Sequence, residues 1–353
     1  MSNILKNFKN VIVSILSILL AFVIGAIIMA ALGASPITAL QYLMIGAFGS
    51  AQNIGTTLAK ATPLIFTALC ACFAYKCGVF NLGGEGQFII GSIASCYVAL
   101  RLGVTGFFGM FLCLLAGALA GGIWGMIPGI LKITRGQNEM IISIMLNYVA
   151  TLFMGVVYTN YLRDGSVPQT VAVPEEVQIP RMFPKMRFTW AFLIAVLLGF
   201  IIYYFLYHTS SGFKLRAVGI NMTASRFNGV PVTRYILMSF IISGAIAGLG
   251  GSAELLGTQY RLINGFASGY GFDGVAMALI GMLNPIATVI VAIFFAALRS
   301  GATTMQAATG VPTSVSDIIQ ALVIVFSVAG MALTKLPEFE AFLGRFKRKK
   351  GEE

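Results

Sequence analysis

Charge is what this chain has least of. Only 10% of its 353 residues are Asp, Glu, Lys or Arg and 58% are hydrophobic, where soluble domains carry roughly 25% charged residues, and the mean hydropathy is +0.89. A soluble globular domain is excluded; the composition is that of a polytopic membrane protein. Histidine is nearly absent, with His208 the sole example, and neither HExxH nor GxSxG occurs. An intramembrane metallo- or serine hydrolase therefore lacks its parts. No GxxxxGK followed by Ser or Thr is present, so ATP and Mg chemistry must come from another chain and no cofactor is expected in this one. The five cysteines, Cys70, Cys72, Cys77, Cys96 and Cys113, have neither zinc spacing nor a paired extracellular pattern. They read as small apolar core residues.

What is there instead is a series of apolar runs. Those near 11–33, 56–75, 105–131, 139–161, 188–207, 235–257 and 313–334 are long enough for about 30 Å of hydrocarbon, and shorter, glycine-broken runs lie near 84–100, 268–283 and 284–300. The first follows Lys6 and Lys9 and extends apolar from Val11 to Leu32, too long for a signal-peptide core, so it is expected as a retained span. Counting ten crossings with the amino terminus inside puts 15 of the 23 basic residues inside, among them Lys132, Arg135, Lys214, Arg216, Arg226, Arg234 and Lys335. The loop at 162–187 mixes Arg163, Arg181, Lys185 and Arg187 with Asp164, Glu175 and Glu176 and is expected outside. This is the positive-inside bias. It accounts for the surplus of basic residues and leaves no surface for nucleic acid.

The two broken runs occupy corresponding places in two halves of the chain. Gly83-Gly-Glu85-Gly-Gln87 is matched by Gly269-Tyr-Gly-Phe-Asp273-Gly274, each an acid among glycines ahead of a short apolar run. Paired interrupted segments of this kind are the sequence pointer to a transport pathway between inverted repeats. The expected architecture is thus all-α, with about ten transmembrane helices in two inverted repeats, forming one transmembrane domain over 1–353. Its parts are a cytoplasmic amino terminus at 1–10, a first repeat at 11–161, an extracellular loop at 162–187, a second repeat at 188–334 with a cytoplasmic loop at 209–234, and a basic cytoplasmic tail at 335–353.

Glycine spacing separates packing from breakage. Gly117, Gly121, Gly125 and Gly129 recur every four residues and define one helix face for close approach, as do Gly244 and Gly248. Gly83, Gly84 and Gly86 lack that spacing and crowd around Glu85. An ionised side chain at mid-bilayer costs at least about 2.5 kcal/mol, so Glu85, Glu139, Glu254, Asp273 and Asp317 each need a reason, whether interfacial depth, a structural partner or a polar path. Glu139, Ser143, Asn147 and Thr151 share a helix face that must meet other helices or water. Thr56, Lys60 and Thr67 form a looser stripe interrupted by Pro63, and Asp317 with Gln320 a third. The segment at 209–234 has four basic residues and no acid; it reads equally as a solvated loop or as a short helix around Ala224, Ser225, Arg226 and Phe227 docked on a partner. His208 at its start reads as structural.

Ala61-Thr-Pro-Leu-Ile-Phe-Thr67, Gly78-Val-Phe-Asn-Leu-Gly-Gly-Glu-Gly-Gln87, Asn138-Glu-Met-Ile-Ile-Ser-Ile-Met-Leu-Asn-Tyr148, Arg216-Ala-Val-Gly219, Gly271-Phe-Asp-Gly-Val-Ala-Met-Ala-Leu-Ile-Gly281 and Asn284-Pro285 occur in this order. Over about 56–334 the chain resembles the permease subunits of bacterial ABC importers for nucleosides and simple sugars, within the branched-chain amino acid and ribose permease superfamily. It is most similar to nucleoside importers that use a basic membrane lipoprotein as receptor. The resemblance implies a heterodimer with a second, related permease, a cytoplasmic ABC ATPase, an extracellular lipoprotein that delivers substrate, and residence in the cytoplasmic membrane with both termini inside. It also implies that Arg216, Gly219, Asn221, Ala224, Arg226 and Gly229 form the segment coupled to the ATPase, although Ile220-Asn-Met-Thr223 departs from the acidic or proline-containing stretch common there.

The expected function is ATP-driven import of nucleosides, purine nucleosides first among them, by alternating access. This chain would be a transport subunit and not an enzyme. Asn81, Glu85, Gln87, Asn138, Glu139, Asn147 and Asp273 are the candidates for lining or shaping the pathway. The alternatives are a permease for a simple sugar such as ribose and a proton-coupled secondary transporter, the latter separated by whether uptake survives collapse of the proton gradient.

Overall fold

The computed structural model describes residues 2–165, 167–184, 186–267 and 269–333, with side chains between 16 and 330. The basic tail expected at 335–353, and Lys185, lie outside the described residues. The helices in chain order are α1 (Ser2–Ala31), α2 (Pro36–Phe48), α3 (Ala51–Lys76), α4 (Gly84–Arg101), α5 (Gly106–Arg135), α6 (Glu139–Val156), α7 (Trp190–His208), α8 (Ser210–Ile220), α9 (Met222–Phe227), α10 (Val232–Glu254), α11 (Tyr270–Ile280), α12 (Pro285–Thr309) and α13 (Ser314–Leu333). The last turns of α6 and α10 widen into π-helix at Val157–Tyr161 and Leu255–Gln259.

The chain is an all-α polytopic membrane protein. Among the described residues, six helices are long and apolar enough to cross a membrane: α3, α5, α6 and α10 with their π turns, α7 and α12; the bent pair of α1 from Leu16 and α2 makes seven if counted as one span. Ten crossings were expected, seven from runs of span length and three from shorter ones, and the difference has specific reasons. The run at 84–100 forms α4, which carries Glu85, Gln87 and Arg101. The run at 268–283 forms α11, whose 11 residues rise only about 16 Å. The run at 313–334 forms α13, whose 20 residues rise about 30 Å, with side chains described through Gly330. The run at 284–300, expected to be short and glycine-broken, is instead part of the unbroken 25-residue α12. Helix α2 was not expected: Gly33 takes φ 80 after α1, Pro36 opens the next helix, and the axis turns by 117°. Glycine ending one helix and proline opening another is the ordinary chemistry of such a break. The loop at 162–187 also holds a small antiparallel ribbon, β1 (Arg163–Asp164) and β2 (Val167–Thr170).

Two compact units divide the chain. One comprises the chain through Ala47 and from Leu298 onward. Within it, the Ser17 hydroxyl of α1 donates to the Phe326 carbonyl of α13 at 3.0 Å, and Gly46 of α2 meets the Gly301 backbone and Thr304 of α12. The other spans Phe48–Ala297, and α3 is its centre. Helix α3 is buried on nearly every side from Ala59 to Ala74, the pattern of an apolar helix that is surrounded rather than amphipathic. Pro63 lies inside it, and the Thr67 hydroxyl returns to the Pro63 carbonyl at 3.1 Å.

Helices α4, α5 and α10 pack backbone to backbone around the glycines singled out by their spacing. A Cβ built on Gly121 would fall 2.7 Å from Gly248 Cα, and one on Gly125 2.6 Å from the Phe240 carbonyl. Gly91 of α4 faces the same Gly248. Without a hydrophobic drive between helices in lipid, such close van der Waals contact is what holds them together. The five cysteines are all buried and unoxidised in this interior, as expected of small apolar side chains.

Gly121→Ala is therefore expected to lower the melting temperature of the detergent-purified protein, with an overpacking cost of about 1–3 kcal/mol. Gly155→Ala in α6, where the nearest atom lies 4.0 Å away, is expected to leave it unchanged or slightly raised. Equal melting temperatures for both variants would refute the packing role of the α5–α10 face.

Candidate functional site

Helix α4 begins abruptly, and its first turn lacks a local cap. Gly83 precedes it and has no side chain to offer, yet four amide groups there need acceptors. The acceptors come from elsewhere. The Gly86 amide donates to Asn147 Oδ1 of α6 at 2.8 Å, and Asn147 Nδ2 donates to the Leu82 carbonyl at 2.9 Å. One carboxamide 61 residues downstream thus serves both sides of the break. The Gly83 amide donates to Asn81 Oδ1 at 3.0 Å.

Asn81 and Gln87 form a reciprocal pair: Asn81 Nδ2 donates to Gln87 Oε1 at 3.0 Å, and Gln87 Nε2 returns to Asn81 Oδ1 at 3.1 Å. Asn81 Nδ2 also reaches Ser243 Oγ of α10 at 2.8 Å, and Cys70 Sγ of α3 lies 3.7 Å from both partners. Asn81 and Gln87 are each 1% exposed, so in this conformation they tie α3, α4 and α10 together and present nothing to solvent. Sequence reading missed Cys70 and Ser243 as members of this network. Ser243 lies next to the Gly244–Gly248 face, a proximity that only the packed α10 turns into contact.

The two acid-bearing breaks meet. The Gly269 amide, at the start of α11, donates to Glu85 Oε1 at 3.1 Å. Gly271 packs on the Glu85 backbone, where a Cβ would fall 2.6 Å from Glu85 Cβ. Gly269 itself takes φ 81, a conformation open to glycine without strain. Phe88 packs against Tyr270 and Phe266 with ring centroids 5.7 and 5.9 Å apart. The amino-terminal ends of α4 and α11 are therefore neighbours, each with an acid in its first turn, Glu85 and Asp273. A carboxylate at a helix amino terminus offsets the positive end of the helix dipole. Glu85 and Asp273 are only partly buried, in contrast to Asn81, Gln87 and Asn147.

Asn138 and Glu139 are placed differently. Asn138 is exposed and caps α6, accepting from the Met140 amide at 2.9 Å. Glu139 forms an ion pair with Lys132 from the last turn of α5. Of the polar face predicted for α6, Glu139, Ser143 and Asn147 are buried and Thr151 is exposed, its hydroxyl bonded to the Asn147 carbonyl at 3.0 Å.

The segment at 209–234 is helical, not a solvated coil. Thr209 caps α8 by accepting from the Gly212 amide, and Asn221 caps α9 by accepting from the Ala224 amide at 2.9 Å. Arg216 Nε donates to the Leu206 carbonyl at 2.9 Å, and its guanidinium lies 4.9 Å from the Tyr207 ring centre, a ring shared with Lys76. Such cation–π contacts contribute about 0.5–1 kcal/mol each at exposed sites. Gly219 sits against the backbone of Lys76, Cys77 and Gly78, just ahead of Asn81. Gly229, at φ 76, follows the end of α9. Ala224 and Arg226 are exposed, and so are Ile220 and Phe227, at 88% each; large apolar side chains so exposed on a basic segment form a surface suited to a partner. His208 stacks on Tyr204 at 5.3 Å.

Residues 53–328 match the family of branched-chain amino acid transport system permease components. The chain is 35% identical to the guanosine ABC transporter permease protein NupP of Bacillus subtilis, over 93% of this chain and 96% of that one. It is 33% identical to the nucleoside ABC transporter permease protein NupB of Lactococcus lactis, over 98% of each, and 31% identical to the glucose ABC transporter permease protein TsgB13 of Haloferax volcanii, over 89% and 86%. No solved structure matches the chain. Its broken, mutually capped helices, its membrane composition and this family match together identify the chain as a member of the branched-chain amino acid transport permease family and a permease subunit of an ABC importer.

Proposed function

We propose that this subunit imports nucleosides by alternating access, and that the meeting of the α4 and α11 breaks forms part of the pathway. The observation that carries the substrate class is the likeness, over nearly the whole chain, to permeases named for guanosine and for nucleosides. A sugar permease is the second reading, favoured by the likeness to a glucose permease. In the proposed topology α4, α11 and α13 complete about ten crossings in two inverted repeats, 11–161 and 188–334. Both termini and 209–234 are cytoplasmic, and 162–187 is extracellular.

Within this reading the seven pathway candidates divide by role. Asn81, Gln87 and Asn147 shape the path by holding irregular backbone that lipid would not tolerate unpaired. Glu85 and Asp273, only partly buried, are the groups that offer transient hydrogen bonds to ribose hydroxyls and base. Asn138 and Glu139 fix the start of α6 against α5. The partners are a cytoplasmic ATPase, a second permease subunit and a receptor lipoprotein; α8 and α9 meet the ATPase through Arg226 and the exposed Ile220 and Phe227. Gly219, in contact with the α3–α4 connection, passes ATPase movement toward Asn81 and the α4 break.

In proteoliposomes holding the whole complex, uptake of labelled guanosine that requires ATP and survives collapse of the proton gradient is the expected result. Uptake of ribose or glucose with none of any nucleoside would replace this substrate class with sugars. Glu85→Leu and Asp273→Leu are each expected to abolish uptake while the subunits still co-purify; wild-type uptake in both variants would remove the two acids from the pathway. Arg226→Glu is expected to reduce uptake at least tenfold while receptor-stimulated ATP hydrolysis no longer follows transport. Unchanged rates of both would take α9 out of the coupling.

A further inference from the structure

The loop at 162–187 is a folded cap rather than a free connection. Thr170, Val173 and Ile179 donate backbone hydrogen bonds to the carbonyls of Leu262, Tyr260 and Leu256, at 3.1, 2.9 and 2.9 Å. The cap thereby lies on the carboxy-terminal end of α10, the end away from α8 and α9, which precede that helix. Between cap and helix end opens a groove of about 650 Å³, lined by Glu175, Gln178, Arg181, Gln259, Tyr260 and Arg261 among others. This volume falls within the roughly 300–1,000 Å³ of small-molecule sites, but the lining is unusually polar for one.

Hydrogen bonding fixes what the groove presents. Gln259 Nε2 donates to Glu254 Oε1 at 3.0 Å and to the Phe266 carbonyl at 3.3 Å; both are acceptors, so the amide nitrogen must face inward. Gln178 Nε2 likewise donates to the Val173 carbonyl at 2.9 Å. The hydrogen bonds of both side chains among the described residues run through Nε2, and both glutamines line the groove, so both carboxamide oxygens are acceptors left for a ligand there. Tyr260 adds a ring held in place by its hydroxyl bond to the Gly257 carbonyl at 3.0 Å, on a backbone at φ 57. A bulky residue at positive φ is strained, and such strain gathers at ligand clamps. The π-helical turn at Leu255–Gln259 that aims these side chains is another feature frequent at functional sites. Arg261 is occupied by Asp164 at 2.9 Å, and Glu175 and Arg181 oppose each other in sign, so the groove favours no net charge.

Two fixed acceptors, an aromatic face and balanced charge suit a neutral ligand that carries several hydroxyl donors and an aromatic ring. We infer that this groove is a nucleoside subsite of the permease itself, where substrate is held at the mouth before it passes the α4–α11 break; this rests on the nucleoside reading above. The groove also connects physically to that break. Gln259 binds the Phe266 carbonyl, Phe266 packs on Phe88, and three residues beyond Phe266 the Gly269 amide binds Glu85.

The test is binding of labelled guanosine, ribose and glucose to the permease–ATPase complex in nanodiscs without receptor, by equilibrium dialysis. Guanosine is expected to bind, and Gln178→Leu and Tyr260→Asn to weaken it at least tenfold each; Asn is chosen because it tolerates the backbone at 260. Glu176→Gln, outside the groove lining, is expected to bind as wild type. Absence of guanosine binding to the wild-type complex, while receptor-dependent guanosine uptake proceeds, would overturn the subsite and leave the transport reading standing. Binding of a sugar alone, with sugar uptake alone, would instead overturn the nucleoside reading beneath it. If both variants bind guanosine normally but lose affinity for the receptor lipoprotein, the groove is a receptor contact and the subsite is refuted.

Discussion

In hydrocarbon no water is available to accept a hydrogen bond, and every amide freed by breaking a helix must find a protein partner. That constraint governs the centre of this molecule. Helix α4 starts within the protein on a glycine, and Asn147 on α6 with Asn81 on its own approach segment supply the missing acceptors. Helix α11 starts on another glycine, and Glu85 supplies one. An unpaired buried group would cost about 1–3 kcal/mol, so these few side chains make interrupted helices possible, and the interruption in turn lets polar groups gather inside an apolar bundle.

The same economy of space explains the glycines. For Asn147 and Ser243 to reach the α4 break, α4, α5, α6 and α10 must approach closely, and Gly91, Gly121, Gly125 and Gly248 allow their backbones to do so. Gly219 extends the principle to α8, whose backbone meets the α3–α4 connection directly. A tightly packed set of rigid helices transmits displacement because its interior cannot compress. Movement imposed at α8 and α9 thus has a short route to Asn81 and the polar centre.

Much of this was legible in the residue order. Composition alone specified a membrane protein, the four-residue glycine spacing predicted the close α5 and α10 faces, and acids among glycines at 85 and 273 marked two breaks. The α6 stripe, expected to face other helices or water, is buried from Glu139 to Asn147 and exposed at Thr151. Other features were misjudged where local pattern was silent about geometry. Helix α2 and the sharp bend before it were missed because the first run was ended near Gly33 and the 13 residues of α2 are too few to register as a span. The run at 284–300 was ended too early, since α12 continues through Gly301 to Thr309 and a small residue can pack without ending a helix. The loop at 162–187 gave no sign of its ribbon or of its attachment to α10, because those bonds are backbone to backbone and leave no mark on side-chain type.

The site shows the same division. The sequence by itself determined which residues are polar in an apolar chain, because each such residue must be paired or wet in lipid and is therefore conspicuous. Only the tertiary structure decided which are paired and with whom. Asn81 and Gln87 proved to satisfy each other, Glu139 to satisfy Lys132, and Glu85 to reach 184 residues along the chain to the start of α11. Partnership is a matter of distance and direction between elements far apart in sequence, and those are fixed only when the helices have packed.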